Sequence, residues 1–356
     1  MKCRGVLYVD ILHDLHHFSK IYTGLDLLAR AGAIDLQVTP APEHSLLQWV
    51  DVAPPDRAAP LRVAFDLGDH NDVFIKEGLD RCEVYFKRSY YPPHIDALPP
   101  EQRSKVLSFG LNYSCSSRSS KRTIGRLWAV EAARQLFCSP RRTLGRASQM
   151  ARFLRQFLLQ PDYRLFEQPP DAPVEPLILF QTRVWEPEET SENLEQINEE
   201  RAALVRLLRK TFGARFRGGL VPTPFARQRY ADVLLEEAYR RTDFIRMVKR
   251  NLIGVYTRGL HNSLAFKLPE YLAASMCIVS DPMRNQLPEP LVAGEHYLEF
   301  RDPDQCLAQC EQLLRHPDEV REMRRRNHDY YEQWVAPAQH LQRCLERAVQ
   351  TVITKN

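Results

Sequence analysis

The 356-residue chain has no Cys-x-x-Cys pair, and its eight cysteines are scattered from Cys3 to Cys344. Cys306 and Cys310 share a helix face, yet no His or Cys pair nearby completes a zinc site. The thiols read as reduced, in a reducing compartment. No run approaches the roughly 18 apolar residues of a membrane span. The amino end, MKCRGVLYVDILHD, has only a short uncharged stretch before Asp10, which reads as a first strand and not as a signal peptide. No G-x-G-x-x-G occurs, which disfavours a dinucleotide-binding enzyme. A net charge of +4 is too small for a general nucleic-acid binder, though it allows a basic cleft. The expectation is a cytoplasmic protein with at most peripheral contact at the inner membrane face.

What is present is a soluble, globular balance, 44% hydrophobic and 26% charged, long enough for two domains. Residues 168–176, QPPDAPVEP, hold four prolines and no apolar period, and read as a linker. They divide the chain into domains at 1–167 and 177–335, with a terminal helix in 336–356. Short apolar runs at 6–9, 35–38, 61–65, 83–86 and 106–109 alternate with helical periods and predict a parallel sheet. Residues 114–126, SCSSRSSKRTIGR, read as a polar, basic loop, followed by helices at 127–137 and 147–159. The second half repeats the alternation, with strands at 177–180, 215–217, 252–256, 277–280 and 297–300. Its helices are expected at 192–212, 240–249, 303–314 and 317–331.

Polar groups gather where strands end. His13, Asp14, His16 and His17 crowd the turn after the first strand, at the carboxyl end where parallel sheets bind ligands. Histidine titrates near neutral pH and suits a general base. His13 and His17, four apart, share a face if the turn is helical, but no third metal ligand accompanies them. Solvated polarity is the other reading. Asp66, Asp69, His70 and Asp72 follow the strand at 61–65, in a composition that makes turns anyway.

Residues 251–282, NLIGVYTRGLHNSLAFKLPEYLAASMCIVSDP, hold a strand, a polar turn and a helix start. Pro269 fits only near a first turn, so the helix begins between Ala265 and Leu268, and His261, Asn262 and Ser263 precede it. Free N–H groups and the helix dipole favour phosphate there. Glu270 sits on the first turn, where a carboxylate can accept both hydroxyls of a ribose. A first-turn Glu is also favourable with no ligand.

The stretch KLPEYLAASMCIVSD resembles the donor-binding segment of GT-B glycosyltransferases. Glu270 matches the family glutamate that holds the nucleotide ribose. Ala273 and Ala274 match its small helix residues, and Ile278–Val279 its following strand. Ser275 stands where Gly is usual. Asn262 stands where the retaining branch often carries a second Glu, so retention and inversion both stay open. The resemblance implies an α/β fold of two Rossmann-like domains facing a cleft. It implies transfer of a sugar from a nucleotide-sugar, which is a substrate and not a cofactor, to a glycan, lipid-linked or small-molecule acceptor without a metal. Arg183, Arg258, Lys267 and the turn His261, Asn262 and Ser263 would then hold the diphosphate, beside Glu270. His13, Asp14, His17 and Asp69 fall on the acceptor side, as base or acceptor ligands. The alternatives are a GT-B-shaped epimerase or phosphorylase, and a non-catalytic nucleotide- or glycan-binding assembly protein.

Overall fold

The computed structural model describes residues 3–55, 57, 59–186, 194–236 and 240–354. In the first half, β1 (Cys3–Val9), β2 (Ile34–Pro40), β3 (Gln48–Ala53), β4 (Leu61–Asp66), β5 (Val84–Lys87) and β6 (Val106–Ser108) form one sheet. Its order is β2-β1-β3-β4-β5-β6. The sheet is not purely parallel as expected. β3, absent from the expected strands, runs antiparallel to both β1 and β4. The reason is the length of its connections. A parallel return needs a crossover of about a dozen residues, and residues 41–47 and 54–60 are too few. All other pairings in this sheet are parallel.

The serine-rich stretch expected as a loop starts a helix instead. Ser117 accepts from the Ser120 N–H, and the Ser120 hydroxyl accepts from the Ser117 N–H. This capping box launches the helix Arg118–Cys138, which pairs with the helix Pro140–Leu158.

The second half holds β7 (Glu175–Thr182), β8 (Phe216–Leu220), β9 (Asn251–Tyr256), β10 (Cys277–Ser280) and β11 (Leu298–Glu299). All are parallel, in the order β11-β10-β9-β7-β8. β7 takes in Glu175 and Pro176 from the proline-rich link. The helix expected from Glu192 is described from Leu194 to Phe212; Glu192 and Asn193 lie outside the described residues. Gly218 in β8 has φ +128°, and a Cβ there would lie 2.0 Å from the Phe180 carbonyl oxygen, so only glycine fits against β7. The chain leaves β7 for β8 on one side and returns to β9 on the other. The carboxyl ends of β7 and β9 therefore flank a topological switch point, where such sheets open a crevice.

Each half has its own apolar core, and a third cluster joins them. Leu111, Tyr113, Cys115 and Phe166 pack with Tyr271, Leu272 and Tyr331. The Tyr331 hydroxyl lies 2.9 Å from that of Tyr113 and donates to Glu167. The helix Pro337–Ile353 lies on the helix Ser19–Arg30, and Leu341, Cys344 and Ala348 complete the first core with Ile21 and Leu25. The contact is close: a Cβ on Gly24 would stand 2.3 Å from the Pro337 carbonyl oxygen.

Candidate active site at the switch point

A cavity of about 560 Å³ opens at the carboxyl ends of β7 and β9. Gln181, Thr182, Arg183, Trp185, Arg201, Arg241, Tyr256, Lys267 and Glu270 line it from the second half. His16, Ser114, Gln156, Leu159 and Gln160 line it from the first. Four cationic side chains thus face one carboxylate.

Arg201 comes from the buried stripe of its helix, Leu194, Asn198, Arg201, Val205 and Leu208, and is 4% exposed. Its Nη1 donates to the Arg183 carbonyl (2.7 Å) and its Nη2 to the Arg258 carbonyl (2.5 Å). The guanidinium lies 4.0 Å from the centroid of the Trp185 ring. Burial lowers its pKa to about 9, against the charge of Asp281. Among the described residues its Nε has no protein partner, and neither do the buried Gln181 Oε1 and, from the first half, Ser114 Oγ, which line the same cavity. Such atoms need a partner that the protein itself does not supply.

Lys267 donates from Nζ to the Gln181 carbonyl. Burial and the charge of Arg201 pull its ammonium down to about 7, against the opposing charge of Glu270. Glu270 is 1% exposed, and Arg241 holds both of its oxygens in a fork, with one contact at 3.1 Å. The Arg241 guanidinium also lies over Phe166 and Phe244. Ser275, in the position usual for Gly, has φ +52°. It follows the helix Lys267–Ala273, with its N–H on the Leu272 carbonyl and the Met276 N–H on that of Tyr271. The closure is that of a Schellman turn. Its hydroxyl donates to the Gln168 carbonyl at 2.5 Å, which offsets the strain a side chain meets there.

On the opposite wall, the His16 Nδ1 lies 2.6 Å from Asp14 Oδ1. Burial opposes the charge of Asp14, but its hydrogen bond to His16, with the His16 and His17 charges, outweighs this and lowers its pKa. The bond holds the ring by one nitrogen, and in the neutral ring with Nδ1 as donor the other nitrogen is an acceptor, as a general base requires.

Of the residues singled out in the sequence, Arg183, Lys267 and Glu270 line the cavity. Others do not. Arg258 is bound to Glu200 (3.2 Å) and Asp281 (3.4 Å), so its charge is already matched. His261 and Asn262 adopt left-handed backbone, φ 54° and 56°, and His261 stacks on His70 at 3.7 Å, so the turn bridges the two halves. Ser263 is buried, and its carbonyl accepts from the Gly259 N–H. Asp69 pairs with Arg88. His17 Nε2 lies 2.8 Å from the Leu67 carbonyl, and burial lowers its pKa to about 4. His13 packs on Phe18 and is likewise lowered by burial. Among the described residues no three His, Cys, Asp or Glu side chains gather as a metal site.

The sequence reading missed Arg201, Arg241 and Trp185, and passed over His16. A signal existed for the first: Asn198 and Arg201 interrupt an apolar stripe at helical spacing. A polar pair inside such a stripe points to a buried task.

Residues 200–346 match the family model described as glycosyl transferase-like. The C-terminal domain of a group 1 glycosyl transferase, LpcC, from Francisella tularensis is similar at 14% identity, over 47% of this chain and 94% of that one, with a TM-score of 0.31. Sucrose-phosphate synthase from Thermosynechococcus elongatus is similar at 12% identity, over 56% of each chain, with a TM-score of 0.35. A Listeria monocytogenes protein provisionally assigned as a UDP-N-acetylglucosamine 2-epimerase is similar at 10% identity, over 100% of this chain and 98% of that one, with a TM-score of 0.43. No curated protein matches. The residues that match this model include Arg201, Arg241, Lys267 and Glu270, which line the cavity.

Proposed function

We propose that this chain moves a glycosyl group from a nucleotide-sugar to an acceptor held against the first half. The observation that carries this reading is the cavity at the switch point, with Arg183, Arg201, Arg241 and Lys267 around the single carboxylate Glu270. A diphosphate there meets positive charge held in place by the fold, with Arg201 fixed by its bonds to the Arg183 and Arg258 carbonyls. When the sugar–phosphate bond breaks, negative charge builds on the leaving diphosphate, and these preset cations stabilise it without a metal. For Glu270 to take a ribose, Arg241 must first release it, which frees a guanidinium for the phosphates. His16, oriented by Asp14, stands across the cavity and takes the acceptor hydroxyl proton if transfer inverts the sugar. The acceptor, by this reading, is a glycan, lipid-linked or small-molecule alcohol.

The test is a screen of UDP-, GDP-, ADP- and CMP-sugars for thermal stabilisation and slow hydrolysis. A donor raises stability by mass action, and at a hundred times its dissociation constant the gain is about 2.7 kcal/mol. A silent nucleotide-binding protein stabilises without hydrolysis. Absence of stabilisation by every donor overturns the reading.

A further inference from the structure

We propose that the paired helices Arg118–Cys138 and Pro140–Leu158 dock this protein flat on an anionic lipid surface. The inference rests on these two helices alone and does not depend on the reading of the cavity.

Charge comes first. Residues 118–158 hold ten Arg or Lys residues and one acidic residue, Glu131, whereas the whole chain carries only +4. The remainder of the molecule is therefore net negative, and the positive charge is concentrated on one helical pair. Glu131 is itself bound by Arg134 (2.6 Å), so nothing acidic is left on the outer face of the pair.

Exposed apolar side chains gather in the same place. Of the eleven large ones among the described residues, six lie between residues 130 and 159. Phe137 is 91% exposed, Val130 71% and Leu144 65%. The two helices each bury one face: Ile124 and Phe157 enter the first core, and Met150 is buried. The outer faces are continuous stripes. Arg126, Val130 and Phe137 share one side of the first helix, four and seven residues apart, and all are exposed. Leu144, Ala151, Arg155 and Leu158 share one side of the second and are exposed. Phe137 and Leu144 flank the turn between the helices.

The second helix is strongly amphipathic and matches an interfacial helix, whose apolar groups sink about 5–10 Å into the headgroup boundary, while Arg and Lys of both helices meet lipid phosphates. Each stripe carries a cation, Arg126 or Arg155, among its apolar groups. Among the described residues no helix is long and apolar enough to cross a membrane, so this is contact with a surface. Leu159 is exposed at the end of the second helix and lines the cavity, so docking brings the cavity mouth beside the lipid.

The full chain is tested by co-sedimentation with phosphatidylcholine vesicles, with and without phosphatidylglycerol, at low and high salt. Binding is expected only with phosphatidylglycerol, and should fall with salt. The pair Arg126→Glu and Arg155→Glu should weaken it at least tenfold, since each basic group near the surface contributes roughly a fivefold factor. The pair Phe137→Ser and Leu144→Ser should weaken it at least tenfold with melting temperature unchanged. Equal sedimentation with both vesicle types, or no response to either pair of substitutions, overturns the proposal. So does a dimer in solution that Phe137→Ser and Leu144→Ser dissociate, because a second copy then covers this face.

Discussion

Raising the pH from 7 to 9 should weaken nucleotide-sugar binding, because the empty cavity loses the Lys267 ammonium over that range. Its pKa is lowered to about 7 by burial and by Arg201, against about 10.4 for an ordinary lysine. A diphosphate beside it favours the charged form and raises the pKa again, so above pH 7 binding takes up a proton. Linkage then sets a loss approaching tenfold, or about 1.4 kcal/mol, per pH unit until the bound-state pKa is reached. The empty protein should move the other way. Between pH 7 and about 10 its unfolded chain binds more protons than the folded one, so stability rises with pH. A nucleotide-sugar is the right ligand, since its diphosphate diester has no proton to lose here. Titration calorimetry in two buffers of different ionisation enthalpy reads the proton uptake directly. Lys267→Arg keeps a charge at every pH and should flatten the profile. Lys267→Met should bind weakly even at pH 7 and be flat as well. A wild-type affinity as flat as that of the arginine variant, without proton uptake, refutes the reasoning.

Three further outcomes are expected. His16→Ala should lower turnover by about 10²–10⁴-fold with nucleotide affinity intact, the range for a lost general base; His13→Ala and His17→Ala should alter melting more than turnover, and equal turnover in all three variants removes the base from this cluster. Glu270→Gln should weaken both nucleotide binding and the fold by roughly 1–3 kcal/mol, because the Arg241 fork is lost together with the ribose acceptor. If calorimetry shows unchanged nucleotide affinity and only the melting temperature falls, Glu270 serves Arg241 alone. Gly24→Ala should destabilise by roughly 1–3 kcal/mol in denaturant titration, since the new methyl meets a backbone oxygen that cannot move aside; a neutral result would mean the two helices separate at little cost.

Much of the architecture was readable because β-type runs alternate with helical periods through most of the chain. The exceptions have local causes. The strand Gln48–Ala53 was missed because its apolar run is short and broken by Asp51, and the shortness of the links on either side makes it antiparallel. The serines at 114–120 look like a loop by composition, but Ser117 and Ser120 satisfy each other's backbone N–H groups and so start a helix. At the cavity, Lys267 and Glu270 were legible because a proline and a helix start fix their position. Arg241 was not, since its partner Glu270 is 29 residues away and reaches it only through the fold. Arg258 had the right chemistry at a strand end, yet Asp281, at the end of the neighbouring strand, had already taken it. His16 differs from His13 and His17 only by which way a tight turn faces, and spacing does not record that.

The docking of the helix Pro337–Ile353 against Gly24 and Leu25 has a consequence for how the protein is made. The first half is synthesised first but lacks part of its core until the last helix emerges. Some 300 residues separate Gly24 from Leu341, which at 5–20 residues per second is roughly 15–60 s of translation. The parallel sheet of the second half, complete at Glu299, can close while the earlier half still shows Ile21 and Leu25 to solvent. The last segment to emerge thus completes the core of the first, and a nascent chain stalled before residue 337 would leave Ile21 and Leu25 without Leu341, Cys344 and Ala348.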